Sequence, residues 1–181
     1  MILILIDGGP ASGKNTLGEM LVGNFIATGE KSVLLDNDSY VEEFCPTWIW
    51  PNDVQKKKDL LKAKTNFIKD IDKYLQEGFN VVAIGARFLS KDDVVLYTGE
   101  LTIMCPVYLY HLSVPIALRR QRLEQRGPHS LIDLDKDQKD RDAITAWPGY
   151  IYQNINSPES DAEELMKLIQ ANEGLVDINN S

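Results

Sequence analysis

Near the start of the chain, Gly8-Gly9-Pro10-Ala11-Ser12-Gly13-Lys14-Asn15-Thr16 carries the spacing G-x-x-x-x-G-K. Glycine lets the backbone turn through conformations closed to other residues, so successive N–H groups can face one side. A lysine after the last glycine adds a flexible positive charge, and a loop of this kind holds phosphate groups. An apolar run precedes it and a helical pattern follows, the context the motif requires, and the helix start contributes its positive dipole end. Asn15 departs from the usual form, standing where Ser or Thr would hold Mg²⁺. Thr16, one place on, is the candidate substitute.

Asp36 and Asp38 follow the apolar run Ser32-Val33-Leu34-Leu35 at i and i+2. In an extended strand end both carboxylates point the same way and can face the loop. Phosphoryl transfer needs one group to take a proton from the attacking hydroxyl and another to hold Mg²⁺ or its waters. The competing reading is a solvated turn in which Asp38 or Ser39 caps a helix. Trp48 and Trp50 lie in a proline-bounded aromatic segment, Phe44 to Pro51, and fit two uses equally: walls of an acceptor pocket, or packing under a loop. Arg87 follows Val81 to Gly85 at the end of a strand pattern, where a guanidinium suits a phosphate, sulfate or carboxylate. That strand lacks a terminal Asp, which places the metal role on Asp36 and Thr16. Arg119, Arg122 and Arg126 share one side of a helical pattern over Val114 to Gln125, with Arg120 turned to solvent. The run Asp133 to Asp142 alternates in sign and reads as a solvated helix, while His111 and His129 stand isolated, in packing or surface roles.

These residues need a scaffold. Ile2 to Ile6, Ser32 to Leu35, Val81 to Ile84 and Val107 to Tyr110 are short unalternating apolar runs, as in strands buried on both faces of a parallel sheet. Ile151 to Ile155 is a fifth candidate. Between them lie helical patterns over Leu17 to Thr28 and Leu60 to Leu75, each closed by glycine, and over Val114 to Gln125, with a last helix opened by Ser157 and Pro158. The alternation predicts a doubly wound α/β domain whose ligands sit beyond the carboxyl ends of the strands. A length of 181 residues with 44% apolar content fits a single core, taken as one domain over 1–171 with a polar, fraying tail over 172–181. Gly127 to Pro148 breaks the pattern and reads as a mobile flap containing a short helix. A net charge of -8 argues against broad binding of nucleic acid or anionic membrane. No run reaches the ~18 apolar residues of a membrane span. The two cysteines, Cys45 and Cys105, suggest neither a zinc site nor a disulfide framework, which favours the cytoplasm.

The phosphate loop, with its displaced Thr16, resembles that of the adenylate kinases. The order of loop, helix and L-D-x-D resembles the adenylylsulfate kinases and, more loosely, the shikimate, gluconate and 5′-polynucleotide kinases. The resemblance implies a three-layer α/β/α P-loop kinase fold with a mainly parallel five-stranded sheet and a lid over about 127–148. It implies ATP and Mg²⁺ as cofactors, with Gly8 to Thr16 on the phosphates and Asn156 beside the adenine. Asp38 would then activate an acceptor hydroxyl, Asp36 would stand on the metal side, and Arg87 would grip the acceptor. Arg119, Arg122 and Arg126 would act as lid arginines alongside Lys14. Val41 stands where the adenylylsulfate kinases have Arg, which argues against adenylylsulfate as acceptor. Asp140-Arg141-Asp142 resembles lid sequences of nucleotide kinases and dephospho-CoA kinase. The expected activity is transfer of the γ-phosphate of ATP to a hydroxyl of a small molecule or nucleotide. A nucleoside monophosphate or dephospho-CoA type of kinase is the second reading, and a nucleotide-binding regulator without catalysis the third.

Overall fold

The computed structural model describes residues 1–127 and 132–177. The expected positions of His129 and of the end of the tail, 178–181, lie outside the described residues, as does the side chain of Arg126. Each apolar run forms a strand: β1 (Leu3–Gly8), β2 (Ser32–Asp36), β3 (Asn80–Ile84), β4 (Val107–Ser113) and β5 (Tyr150–Gln153). Among the described residues these make one parallel sheet in the order β2-β3-β1-β4-β5. The helices are α1 (Lys14–Ala27), α2 (Asn37–Glu42), α3 (Asp53–Gln76), α4 (Lys91–Thr98), α5 (Ile116–Arg126), α6 (Leu134–Asp142) and α7 (Pro158–Gln170).

Strand periodicity divides the core into two layers. Ile4 and Ile6 of β1 face Leu17, Leu21 and Phe25 of α1 and Leu165 and Ile169 of α7. Leu3 and Leu5 point the other way, against Phe67, Ile71 and Leu75 of α3 and Val94 of α4. Because β1 is buried on both faces it carries no polar alternation, which is why its sequence is a plain apolar run. β1 sits at the centre of the sheet. The chain leaves it toward β2 on one side and returns through β3 to β4 on the other, so the loop after β1 opens at the switch point of the sheet, where ligands bind in such folds.

Two expectations are corrected. Asp36 and Asp38 are not both on an extended strand, because α2 begins at Asn37: Asp36 ends β2 as the N-cap, and its Oδ1 accepts the Asp38 N–H at 3.1 Å. The capping reading and the paired-carboxylate reading describe the same two residues. The tail is not free from residue 172. Leu109 N–H donates to the Gly174 carbonyl (2.9 Å) and Val176 N–H to the Val107 carbonyl (2.8 Å), an antiparallel patch on the part of β4 that lies before the first β5 partner. Unpaired strand edge attracts backbone partners, and Tyr110 Oη adds a bond to the Glu173 carbonyl at 2.7 Å. Ending the chain at Asn172 should therefore lower the thermal midpoint by roughly 5 °C. A scanning-calorimetry midpoint equal to that of the full chain would remove the tail from the sheet's stability.

Candidate active site

α1 starts bare. Asp36, Asn52, Ser90, Asp133 and Ser157 each cap the helix that follows, but Gly13, in a left-handed turn (φ 92), gives α1 no side-chain cap, and its first turn holds no acid. The first bond of the helix runs from Leu17 N–H to the Gly13 carbonyl at 3.0 Å. The amides of Lys14, Asn15 and Thr16 come before it and remain for an anion.

The loop's carbonyls are held from outside. Arg119 Nε donates to the Pro10 carbonyl (2.9 Å), Arg122 Nη1 to that of Ala11 (3.3 Å) and Asn154 Nδ2 to that of Ser12 (2.7 Å). A peptide whose C=O points outward turns its N–H inward, so these bonds orient the Ala11 and Gly13 amides into a cradle, while the Ser12 N–H closes the turn on the Gly9 carbonyl at 3.2 Å. Lys14 Nζ reaches the carbonyls of Gly8 (2.8 Å) and Gly9 (3.4 Å). Burial pushes the Lys14 ammonium below the usual lysine range, and Asp7, Asp38 and Asp36 act against that shift. Ser12 Oγ is buried inside the loop without a hydrogen-bond partner, an orphan polar atom of the kind a phosphate oxygen would satisfy.

Beside the loop lies a cavity of about 740 Å³ lined by Gly8, Lys14, Asp38, Trp48, Arg87 and Arg141 among others. Asp38 faces it. Burial, with the Asp36 charge next in weight, pushes the Asp38 carboxyl up to about 6, and Glu42 adds to the push while Lys14 opposes it. Gly85 lets β3 approach closely: its φ is +81, and a Cβ there would collide with Asp36 and with the amides of Asn37 and Asp38. Of the two tryptophans only Trp48 borders the cavity, its Nε1 donating to Glu42 Oε1 at 3.2 Å. Trp50 packs edge-on against Trp48, with Lys56 over its ring. Arg87 lies at the cavity wall, 3.7 Å from Asp140.

Thr16 does not reach Asp36. Successive residues of a helix are turned by about 100°, and this places Thr16 in a separate recess of about 200 Å³ with Gly13, Arg122, Asn154 and Asn156. The contact to Asp36 Oδ2 comes from Asn15 Nδ2 at 2.8 Å. Asn156 is fixed by Asp161, which is 1% exposed and accepts from Asn156 N–H, Asn156 Nδ2 and Tyr152 Oη. Arg120 pairs with Asp135 on the surface.

The sequence reading passed over the centre of the site. Asp7, at 0% exposure, is the last residue but one of β1 and lies directly beside His111 of β4 in the parallel register. His111 Nδ1 lies 3.0 Å from Asp7 Oδ2, and Arg141 of α6 grips the same carboxylate with Nη1 (2.7 Å) and Nη2 (3.1 Å). Burial alone would raise Asp7, yet the hydrogen bonds from His111 and Arg141 outweigh it and hold the carboxyl well below its usual range. Asp137 joins Arg141 to Arg119. The one available signal was Asp7 itself, an acid inside an otherwise apolar strand. α6 is therefore not simply solvated: Asp137, Arg141 and Leu134 turn inward.

No family model and no curated protein sequence matches the chain. Solved structures do. A sugar kinase from a Janibacter species superposes with a TM-score of 0.65 at 14% identity, covering 94% of this chain and 95% of that one. The adenylylsulfate (APS) kinase of Mycobacterium tuberculosis, determined with AMPPNP and APS, gives 0.60 at 14% identity over 93% and 96%. The shikimate kinase of Aquifex aeolicus gives 0.56 at 13% identity over 94% and 97%. The fold is the α/β fold of the P-loop kinases. Among the described residues no helix is long and apolar enough to cross a membrane.

Asp7→Asn leaves Arg141 facing an uncharged group in a buried setting, so unfolding at pH 7 should cost about 3–5 kcal/mol less. Because the folded-state value of Asp7 is depressed, wild type's advantage is present in full above the ordinary carboxylate range, about pH 5, and declines as the pH falls. Denaturant titrations of both proteins from pH 7 to pH 3 measure it, and an advantage that grew toward acid would contradict the assignment.

Proposed function

We propose that the chain is an ATP-dependent phosphotransferase that moves the γ-phosphate to a hydroxyl of a small molecule. The observation that carries the reading is Asp38, a carboxylate with raised proton affinity in the wall of a cavity that also contains the loop and Lys14. A base working near neutral pH should have a value close to that pH. Asp38 reaches about 6 by being buried beside other carboxylates. The inward amides of the loop and Lys14 would hold the β and γ phosphates, with the adenine in the recess between Arg122 and Asn156. Asp38 takes the proton of the acceptor hydroxyl, while Arg119 and Arg87 balance charge on the moving phosphoryl group. The lid helix α6 excludes water from the cavity.

The site fits Mg²⁺. Asp36 uses one oxygen on Asn15 and one on the Asp38 amide, and a carboxylate accepts about four hydrogen bonds, so capacity remains. With its Nδ2 turned to Asp36, Asn15 presents Oδ1 as a neutral oxygen ligand, the hard donor that Mg²⁺ takes. Asp36 and Asn15 are accordingly the residues that would hold the ion, and its chemistry would be to neutralise charge on the β and γ phosphates.

Asp38→Asn should reduce phosphoryl transfer by roughly 10²–10⁴-fold while ATP binding, followed by calorimetry, is kept. A screen of labelled ATP against sugars, nucleosides, nucleotides and coenzyme precursors identifies the acceptor. With that acceptor, wild-type kcat/KM should rise with pH and level off above about 6, as Asp38 loses its proton. A variant that turns over at the wild-type rate, or a profile flat from pH 5 to 8, would remove Asp38 from the role. ATP binding with no consumption across the whole screen would favour a nucleotide-binding regulator.

A further inference from the structure

Three guanidinium groups from different parts of the chain converge on one carboxylate at the mouth of the phosphate loop. Arg119 of α5 gives Nη2 to Asp137 Oδ2 at 2.7 Å, and Arg141 of α6 brings Nε to the same oxygen at 3.2 Å. Arg87, after β3, places Nη2 3.9 Å from Asp137 Oδ1. The Arg119–Asp137 pair rests against the bare Cα of Gly9, where a Cβ would overlap both side chains. Asp137 lines the same cavity as Gly8 and Lys14, and its side chain is 12% exposed.

Several guanidiniums around one anion, next to inward amides and a lysine, is the arrangement that holds a phosphoryl group. Here the anion belongs to the chain. Resting on the phosphate-site reading above, we propose that Asp137 is an internal counter-anion seated where the terminal phosphate of a triphosphate would be gripped, and that the nucleotide must displace it.

The two more buried arginines are anchored independently of Asp137. Arg119 is tied through Nε to the Pro10 carbonyl, and Arg141 through both Nη atoms to Asp7. Only the N–H groups facing Asp137 have to change partner, so both cations stay in position when the carboxylate leaves. Arg87, half exposed, also has Asp140 within 3.7 Å. A terminal phosphate brings roughly two negative charges and three acceptor oxygens against one carboxylate charge, so the exchange runs in its favour. Asp137 thus acts as a threshold. It keeps the arginines neutralised and α6 docked, and it lowers the affinity for any anion too weak to replace it.

Calorimetric titration with ATP and with inorganic tripolyphosphate, in the absence of any acceptor, tests the proposal. Asp137→Asn, which keeps the shape and removes the charge, should bind tripolyphosphate roughly tenfold tighter than wild type, and Asp137→Glu should stay within about twofold of it. Unchanged or weaker binding by a folded Asp137→Asn protein would overturn the proposal. If that variant does not fold, the wild-type chain still decides. Bound tripolyphosphate should raise hydrogen exchange in α6 relative to α1, because the Asp137 tie from α6 to Arg119 is released and only that of Gln138 (3.2 Å) remains; tight binding with α6 exchange unchanged overturns the idea. A wild-type chain that binds neither ATP nor tripolyphosphate removes the phosphate-site reading itself, and with it this inference.

Discussion

A carboxylate buried at the end of the central strand organises the site. Asp7 has no access to water, so its charge must be met within the protein, by His111 from the neighbouring strand and by Arg141 from α6. An ionised side chain left unpaired in such a place is strongly destabilising. Stability therefore requires that α6 dock over the phosphate loop, although α6 itself carries few apolar residues, with Leu134 its one buried residue. α6 is held mainly by charge where the rest of the domain is held by packing. A helix held by ion pairs answers to a charged ligand, since an arriving anion competes for the same cations, whereas an apolar contact offers it nothing to exchange.

The cradle depends on the same network. A glycine-rich loop has many accessible conformations, and glycine loses the most freedom on being fixed. What selects one conformation is the set of donors on its outward carbonyls: Arg119, Arg122 and Asn154. Arg119 is tied in turn to Asp137, and Asp137 to Arg141 and so to Asp7. Strand end, loop and α6 form one connected set of bonds. The buried, unpartnered Ser12 Oγ and the uncapped start of α1 are the places where that set stays open.

Much of this was legible in the sequence, for physical reasons. Strands buried on both faces announce themselves as unbroken apolar runs, and the phosphate loop by spacing that serves little else. α4 was missed because its eight residues, Lys91 to Thr98, are too few to show a helical period. The tail looked free because its pairing with β4 is made by backbone groups, which carry no residue signature. His111 looked isolated for a related reason: its partner stands 104 positions away, and only the register of two parallel strands puts them side by side. The alternating charges of α6 fit a solvated helix equally well, because sequence periodicity does not say what lies opposite a helix face.

Asn15 shows how a local departure can be compensated. A Ser or Thr at this position offers a hydroxyl, which can donate to one neighbour while its oxygen faces a cation. Asn divides those tasks between two atoms: Nδ2 bonds Asp36, leaving Oδ1 for a ligand. The longer side chain spans the gap to β2, so the loop and the acidic turn are tied directly. That tie fixes the carboxylate whose other oxygen holds the Asp38 amide. Asp38 and the glycine-rich loop are thereby placed by a single chain of hydrogen bonds, Asn15 to Asp36 to Asp38. Thr16 is then free to serve the recess on the other side of α1. The departure at position 15 thus ties the loop to Asp36 through Asn15, while Thr16 borders a different recess.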